Sequence, residues 1–232
     1  LFTLLGLHPG TETDDYAAAA LAVIPHAEAE QLLEDLYSAR LLTEPSPGRY
    51  GMHDLIHTYT AGRATTTPTR PEQDQALDQL LDYYQHTAAH ADTFLTRHTT
   101  PAATPPVTEP VIRPTLLDDA QALAWARTER ANLLACLDHT TTTDRHQRVI
   151  ALTASLAGLL RCDGPWTDAI IRHTTALQAA RQLGDHLGQA NALNNLGAVR
   201  RFTGEYGQAA DLQAQLQNLH PQLDNGFGQT NT

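Results

Sequence analysis

The residues of this chain best suited to chemistry are the tripeptide Met52-His53-Asp54, which stands where a short predicted strand meets a predicted helix. An apolar-periodic run from Leu55 to Ala64 follows it directly. A phosphate-sensing histidine at the end of a small helical domain would make the chain one part of a nucleotide switch, and not an enzyme complete in itself.

The same histidine belongs to a spacing that superficially matches a metal-hydrolase signature. The run His53-Asp54-Leu55-Ile56-His57 resembles His-Glu-x-x-His, in which two histidines of one helix bind zinc. That chemistry needs a glutamate as general base, and Asp54 is one methylene shorter. Because 12 histidines produce such pairs easily by chance, we predict no metal site and no catalytic residue in this chain.

Size and composition favour a folded protein whose surface avoids nucleic-acid backbones. The 232 residues are 41% apolar, enough for one large domain or two modest ones with a buried core. The 15 basic residues against 26 acidic ones leave a net charge of -11. This charge repels phosphate, so it argues against a surface that embraces DNA or an anionic membrane.

Cysteine usage and the absence of targeting signals indicate a compartment. Cys136 and Cys162 both fall inside apolar helical patterns, as reduced thiols do. No apolar run approaches the roughly 20 residues that cross a bilayer, and no basic region leads into an apolar stretch at the amino terminus. We therefore predict a soluble, cytoplasmic protein. Its start at Leu1, inside an apolar run, predicts a piece of a longer polypeptide.

The elements that would position His53 are three helices followed by a hairpin. Apolar spacing predicts three helices, over 1–7, 16–23 and 27–39. Two strands are predicted over 41–43 and 49–52, with a turn over 45–48 between them. This order describes a winged helix, which we assign to residues 1–66.

A winged helix often binds DNA through its third helix, which lies in the major groove. Here that helix is negatively charged, and phosphates along the groove would repel it. Its acidic residues are Glu28, Glu30, Glu34 and Asp35. We therefore predict a packing role and no direct DNA contact. The alternative function is a DNA-binding winged helix fused to a protein-interaction module.

A long helix and a proline-rich connector form the predicted second region, 67–115. Apolar positions recur at helical spacing from Pro71 to Leu95. Prolines in the stretch 99–115 cannot continue a helix and predict a stiff, extended connector.

Helical periodicity returns after the connector and contains an internal repeat. A loop is predicted over 140–143 and one helix over 149–161. A shift of 40 residues aligns four pairs at the helix-turn-helix positions of tetratricopeptide repeats, namely Leu156 with Leu196, Gly164 with Gly204, Trp166 with Tyr206 and Ala169 with Ala209. We predict a repeat array over 116–223 and a flexible tail over 224–232. The fold class is mainly α: a winged helix with a small β-hairpin, followed by an α-helical tetratricopeptide-type array.

The repeats offer a surface for a protein or peptide. Amides and a guanidinium on an inner helix can clamp a peptide backbone, so the candidate partner-binding residues are Asn191, Asn194, Asn195 and Arg201. The alternative, that these are solvated polar positions, stays open. Small residues at Gly197 and Ala209 are expected where paired helices approach closely, and Trp125 and Trp166 are expected to pack.

Four segments carry a family resemblance, namely 4–10 (LLGLHPG), 48–55 (GRYGMHDL), 124–133 (AWARTERANL) and 195–197 (NLG). In this order they resemble the middle of actinobacterial STAND-type regulators, multidomain NTPases that include large Streptomyces antibiotic regulatory proteins. In that family an NB-ARC-type nucleotide-binding domain precedes the winged helix, whose Met-His-Asp motif faces bound ADP.

The resemblance implies that Met52, His53 and Asp54 form a nucleotide-sensing motif, in which His53 donates to the β-phosphate and Asp54 orients the backbone. A charge-assisted hydrogen bond of roughly 1.5–3 kcal/mol, made only in the ADP state, has the size of a typical coupling free energy. The sequence contains no Gly-x-x-x-x-Gly-Lys-Ser/Thr loop, so we expect no ATP hydrolysis by this chain and no cofactor in it.

The expected whole is a non-catalytic part of an ATP-dependent transcriptional regulator of antibiotic biosynthesis. ADP or ATP would bind to the parent protein, in the nucleotide-binding domain upstream in the same polypeptide. That domain is the first expected partner, and a protein or peptide on the repeats is the second.

Overall fold

The computed structural model describes residues 1–64, 66, 68–96 and 112–229, with side chains as far as residue 219. The chain forms two compact units. The first contains the described residues of 1–87, 112–117 and 128–136, and the second those of 88–96, 118–127 and 137–229. The predicted connector lies mostly outside the described residues, and the predicted domain boundaries after 66, 115 and 223 stay predictions.

The amino-terminal part of the chain alternates short helices and short strands. Asp14 caps the second helix, because its carboxylate accepts a hydrogen bond from Ala17 N at 2.7 Å. Val23 ends that helix with a left-handed backbone (φ 54°), and Pro25 precedes the next one. The elements are α1 (Phe2–Leu5), β1 (Glu12–Thr13), α2 (Asp15–Ala22), α3 (His26–Ser38), β2 (Thr43–Ser46), β3 (Arg49–Gly51), α4 (Asp54–Ala64) and α5 (Arg70–Leu95).

The small sheet has three antiparallel strands in the order β1-β3-β2, one more than the predicted hairpin. β1 was not predicted, because two residues are too few to show the alternation of a strand. The position of the first hairpin strand was also wrong. Leu42 is 4% exposed and packs in the core ahead of β2, so its apolar character reflects burial and not strand pairing. The coarse prediction of a mainly helical chain with a small sheet is confirmed, and the assignment to a winged helix stays a prediction.

α4, the helix that begins after His53, packs directly on the end of α1. A Cβ on Gly6 would lie 2.4 Å from the carbonyl carbon of Thr60, so only glycine permits this approach. Thr60 is fully buried, and its hydroxyl donates back to the carbonyl of Ile56 at 3.0 Å. This contact fixes the direction in which α4 leaves the sheet.

The later part of the described chain is helical. The elements are α6 (Asp119–Thr128), α7 (Arg130–Thr142), α8 (His146–Ser155), α9 (Ala157–Asp163), α10 (Trp166–Leu183), α11 (His186–Phe202) and α12 (Tyr206–Gln229). The predicted loop over 140–143 is wrong, because α7 continues to Thr142 and the Thr141 hydroxyl donates to the carbonyl of Leu137 at 2.8 Å. The helix predicted over 149–161 is interrupted at Leu156.

The internal repeat is visible in the backbone of the second unit. Gly164 and Gly204 both turn the chain between paired helices with positive φ, 46° and 79°. Only glycine adopts such angles without strain. Trp166 and Tyr206 then begin the second helix of each pair.

The two small residues of the second copy differ in their surroundings. Ala209 is 5% exposed and lies in the core of the array, as expected. A Cβ on Gly197 would lie 3.8 Å from the nearest heavy atom, which is an ordinary contact. The expected steric need for glycine at 197 is therefore wrong.

Candidate functional site

His53 lies at the exit of the sheet and at the start of α4. Its carbonyl accepts the first hydrogen bond of that helix, from His57 N at 2.9 Å. His53 and Asp54 are exposed, and Leu55 is 83% exposed. The motif thus presents an imidazole beside a helix N-terminus, where the partial positive charge of the helix favours an anion.

Met52 anchors this motif from the inner side. Its side chain is half-buried, and its Sδ lies 3.4 Å from the Thr60 hydroxyl oxygen. Met52 also lines a cleft of about 270 Å³ whose wall includes His8 and His57. The three residues of the motif therefore divide: methionine faces inward, and histidine and aspartate face outward.

A buried ion-pair network holds β3, the strand that leads to His53. Arg49 is 8% exposed, and its Nη1 donates to Oε1 of Glu129, which is 1% exposed. Two further carboxylates approach the guanidinium: Glu12 Oε2 lies 3.5 Å from Nε, and Asp14 Oδ2 lies 3.8 Å from Nη1. One cation therefore faces three carboxylates.

Neutral donors satisfy the second oxygen of Glu129. The Tyr84 hydroxyl donates to it at 3.2 Å and the Asn132 amide at 2.7 Å. Tyr84 also lies 3.1 Å from Nε2 of His8, whose Nδ1 accepts from Gly10 N at 2.9 Å. Burial lowers the pKa of His8 to about 4, so the ring is neutral at pH 7 and its Nε2 carries the proton.

Protonation of Asp14 lowers the excess negative charge of the network. Burial, followed by the nearby carboxylate of Glu129, raises the pKa of Asp14 to about 7. Near neutral pH this carboxyl is therefore partly protonated, which reduces the repulsion around Arg49.

This network was not predicted from the sequence, although Arg49, Glu129 and Asn132 lie in segments that carry the family resemblance. One signal in the sequence pointed to it. Glu129 interrupts an apolar helical pattern, and a glutamate is almost never fully buried unless it is paired. Gly10 also has a steric role, because a Cβ there would lie 2.0 Å from the Asn132 amide oxygen.

A small cleft, mostly apolar but with four polar side chains, lies between α8, α10 and α11 of the second unit. It encloses about 220 Å³, including the part open to solvent, and Asn191 and Asn195 line its α11 side. Its floor contains Thr153 of α8 and His173 of α10, each 1% exposed. The cleft thus brings two of the four predicted partner-binding residues together, and it adds two polar residues that sequence analysis missed.

The other two predicted partner-binding residues do not line this cleft. Asn194 and Arg201 are exposed on α11. Trp166, expected to pack, stacks on Phe202 with ring centroids 6.2 Å apart and remains 42% exposed. Trp125 is half-buried.

The described residues lack two kinds of feature, a metal-binding cluster and a membrane-spanning helix. No group of three or more histidine, cysteine, aspartate or glutamate side chains is placed to hold a metal ion. No helix in that part of the chain has both the length and the apolar character needed to span a bilayer.

Comparison with known proteins agrees with the repeat and with a regulatory relationship. Residues 148–221 match the family model of the tetratricopeptide repeat, which confirms the predicted repeat. The chain is 35% identical over 155 residues to the regulatory protein AfsR of Streptomyces coelicolor (strain ATCC BAA-471 / A3(2) / M145), which covers 65% of the chain and 16% of the relative. It is 31% identical over 209 residues to the regulatory protein AfsR of Streptomyces griseus, which covers 90% of the chain and 21% of the relative.

The chain therefore spans about a fifth or less of the length of these curated relatives. No solved structure matches it. The comparisons thus show a tetratricopeptide repeat in the chain and similarity to part of two proteins that are named regulatory proteins.

Proposed function

We propose that this chain is a non-catalytic regulatory part of a STAND-type, ATP-dependent transcriptional regulator. In this proposal Met52, His53 and Asp54 sense ADP bound to an NB-ARC-type domain of the same polypeptide. The tetratricopeptide-type repeats bind a protein partner or effector. The observation that carries the proposal is the outward presentation of His53 at the start of α4, two residues after a strand that a buried network holds in place.

The sensor arm is supported by the chemistry of this surface. An exposed imidazole beside a helix N-terminus has the donor and the local field that a phosphate requires. Leu55 and Tyr59 lie one turn apart on α4 and are 83% and 59% exposed. Apolar groups on that face are suited to burial against a neighbouring domain of the complete polypeptide.

The charge of α3 supports a packing role over DNA contact. Its acidic residues are all exposed, namely Glu28, Glu30, Glu34 and Asp35. Such a surface repels phosphate and would lower the affinity for any duplex. The regulatory proposal therefore requires DNA binding to come from another part of the polypeptide.

The proposal is tested by identifying the nucleotide that purifies with the complete natural polypeptide. We expect ADP in the wild type and less ADP in His53→Ala, with His186→Ala, an exposed histidine of α11, as the matched control. A polypeptide that binds no nucleotide would refute the sensor arm. A salt-dependent shift of duplex DNA by this chain alone would instead favour the DNA-binding alternative.

A further inference from the structure

The floor of the cleft between α8, α10 and α11 holds polar groups without partners. The Thr153 hydroxyl is fully buried and makes no hydrogen bond to any residue that the structure describes. The His173 side chain is 1% exposed. Its ring likewise makes no hydrogen bond within the described part of the chain. Because unpaired buried polar groups are costly, two of them at the base of one cleft point to a ligand that pairs with them.

The free hydroxyl of Thr153 differs from other helical hydroxyls of the same unit. Ser155, two residues later in α8, donates to the carbonyl of Ala151 at 2.9 Å. Thr174, next to His173 in α10, donates to the carbonyl of Ile170 at 2.7 Å. Such a bond to the preceding turn is the usual solution for a threonine within a helix. Thr153 does not use it, so its hydroxyl stays available to the cleft.

The walls of the cleft carry no charge. Asn191 and Asn195 are one turn apart on α11, and each offers an amide donor and a carbonyl acceptor. The remaining lining residues are apolar or glycine, namely Ile150, Ala154, Ala176, Gly188 and Ala192. Burial lowers the pKa of His173 to about 4, so the ring is neutral at pH 7 and has one donor and one acceptor.

These groups discriminate between classes of ligand. A carboxylate or an ammonium group would lose its hydration without meeting an opposite charge. An alkyl side chain would leave the Thr153 hydroxyl and the His173 ring unpaired. A primary amide offers both a donor and an acceptor, as the floor does. The space is small, about 220 Å³ even with the part open to solvent, so only the end of a single side chain enters it.

We propose that this cleft binds the amide side chain of an asparagine or glutamine presented by an extended peptide of a protein partner. The inserted amide pairs with Thr153 and His173, and Asn191 and Asn195 hydrogen-bond to the peptide backbone. The inference rests on the proposed function, in which the repeats bind a protein, and it names the chemistry that they select.

A library of random dodecapeptides, displayed on phage and selected on this chain, tests the inference. We expect selected peptides to share an asparagine or glutamine. Replacing that residue in a synthetic binder by aspartate or leucine should weaken binding about tenfold or more. Thr153→Val should weaken binding similarly, and the exposed Gln178→Ala of α10 should leave it unchanged.

Folding and function are kept apart by the choice of variants. Thr153→Val removes an unpaired hydroxyl, so the helical circular dichroism and the melting temperature should be retained. Binders that tolerate aspartate or leucine, or that bind Thr153→Val equally well, would overturn the amide inference while leaving partner binding intact. If neither Asn191→Ala nor Asn195→Ala weakens the binding of any selected peptide, peptide binding by this cleft is contradicted altogether.

Discussion

Arg49 of β3 and Glu129, the residue between α6 and α7, form a buried ion pair although 80 positions separate them in the sequence. The pair lies within the first unit, and it joins the segment Gly48–Leu55 to the segment Ala124–Leu133. Both segments carry the family resemblance. Their common role in this structure is to fix the strand from which His53 emerges.

Removing the cation from this pair should cost more than a typical surface substitution. Arg49→Met leaves the carboxylate of Glu129 buried without its counter-charge, so we expect the free energy of unfolding to fall by about 3–5 kcal/mol. Urea unfolding followed by circular dichroism measures the loss. The exposed Arg63→Met should change it by about 0.5 kcal/mol or less.

The double variant Arg49→Met with Glu129→Gln separates charge burial from packing. Because the buried charge is then absent, we expect part of the stability to return. An Arg49→Met loss no larger than that of Arg63→Met would show that the pair does not hold β3.

Two helical glycines should respond oppositely to alanine. At Gly158 a Cβ would lie 2.5 Å from Asp92 Oδ1 and 2.8 Å from the Leu95 Cβ, so Gly158→Ala should destabilise the second unit by about 1–3 kcal/mol. At Gly197 the space is free, and Gly197→Ala should stabilise it by about 0.5–1 kcal/mol through helix propensity. Thermal unfolding measures both, and a destabilised Gly197→Ala would restore the close-packing interpretation.

His173 should make the stability of the second unit depend on pH. Burial lowers its pKa from 6.5 to about 4, so between these values the unfolded chain binds a proton that the folded chain does not. The contribution of the neutral ring is therefore present above pH 6.5 and is lost as the pH falls toward 4.

The variant His173→Gln does not titrate, so it isolates this contribution. The difference in unfolding free energy between the wild type and His173→Gln should change by about 3 kcal/mol from pH 7 to pH 4. The exposed His186→Gln serves as the control substitution. A constant difference for His173→Gln would mean that the ring is not buried in its neutral form.

Local signals in the sequence predicted the helices and the repeat well. Asp14 and Pro25 mark real helix boundaries, and the glycines at 164 and 204 mark real turns, because capping and positive φ depend on nearby residues. The loop predicted at 140–143 failed because threonine hydroxyls there bond within the helix. The strand β1 was missed because its pairing with β3 is a long-range event that two residues do not announce.

The candidate sites were predictable only in part, because long-range contacts leave no local signal in the sequence. The motif at Met52–Asp54 and the asparagines of α11 are visible as residue types at a spacing. Arg49 pairs with Glu129, and Thr153 meets His173, only when elements that are separate in the sequence pack together. Burial without a partner is a property of the folded chain, and a single sequence contains no direct sign of it.

The rate at which ADP leaves the complete natural polypeptide tests the central claim most directly. A hydrogen bond from His53 to the diphosphate, worth roughly 1.5–3 kcal/mol, predicts that His53→Ala releases ADP about 10- to 150-fold faster than the wild type, with His186→Ala unchanged. Equal release rates for His53→Ala and the wild type would contradict the sensor, and the chain would then be a helical interaction module alone.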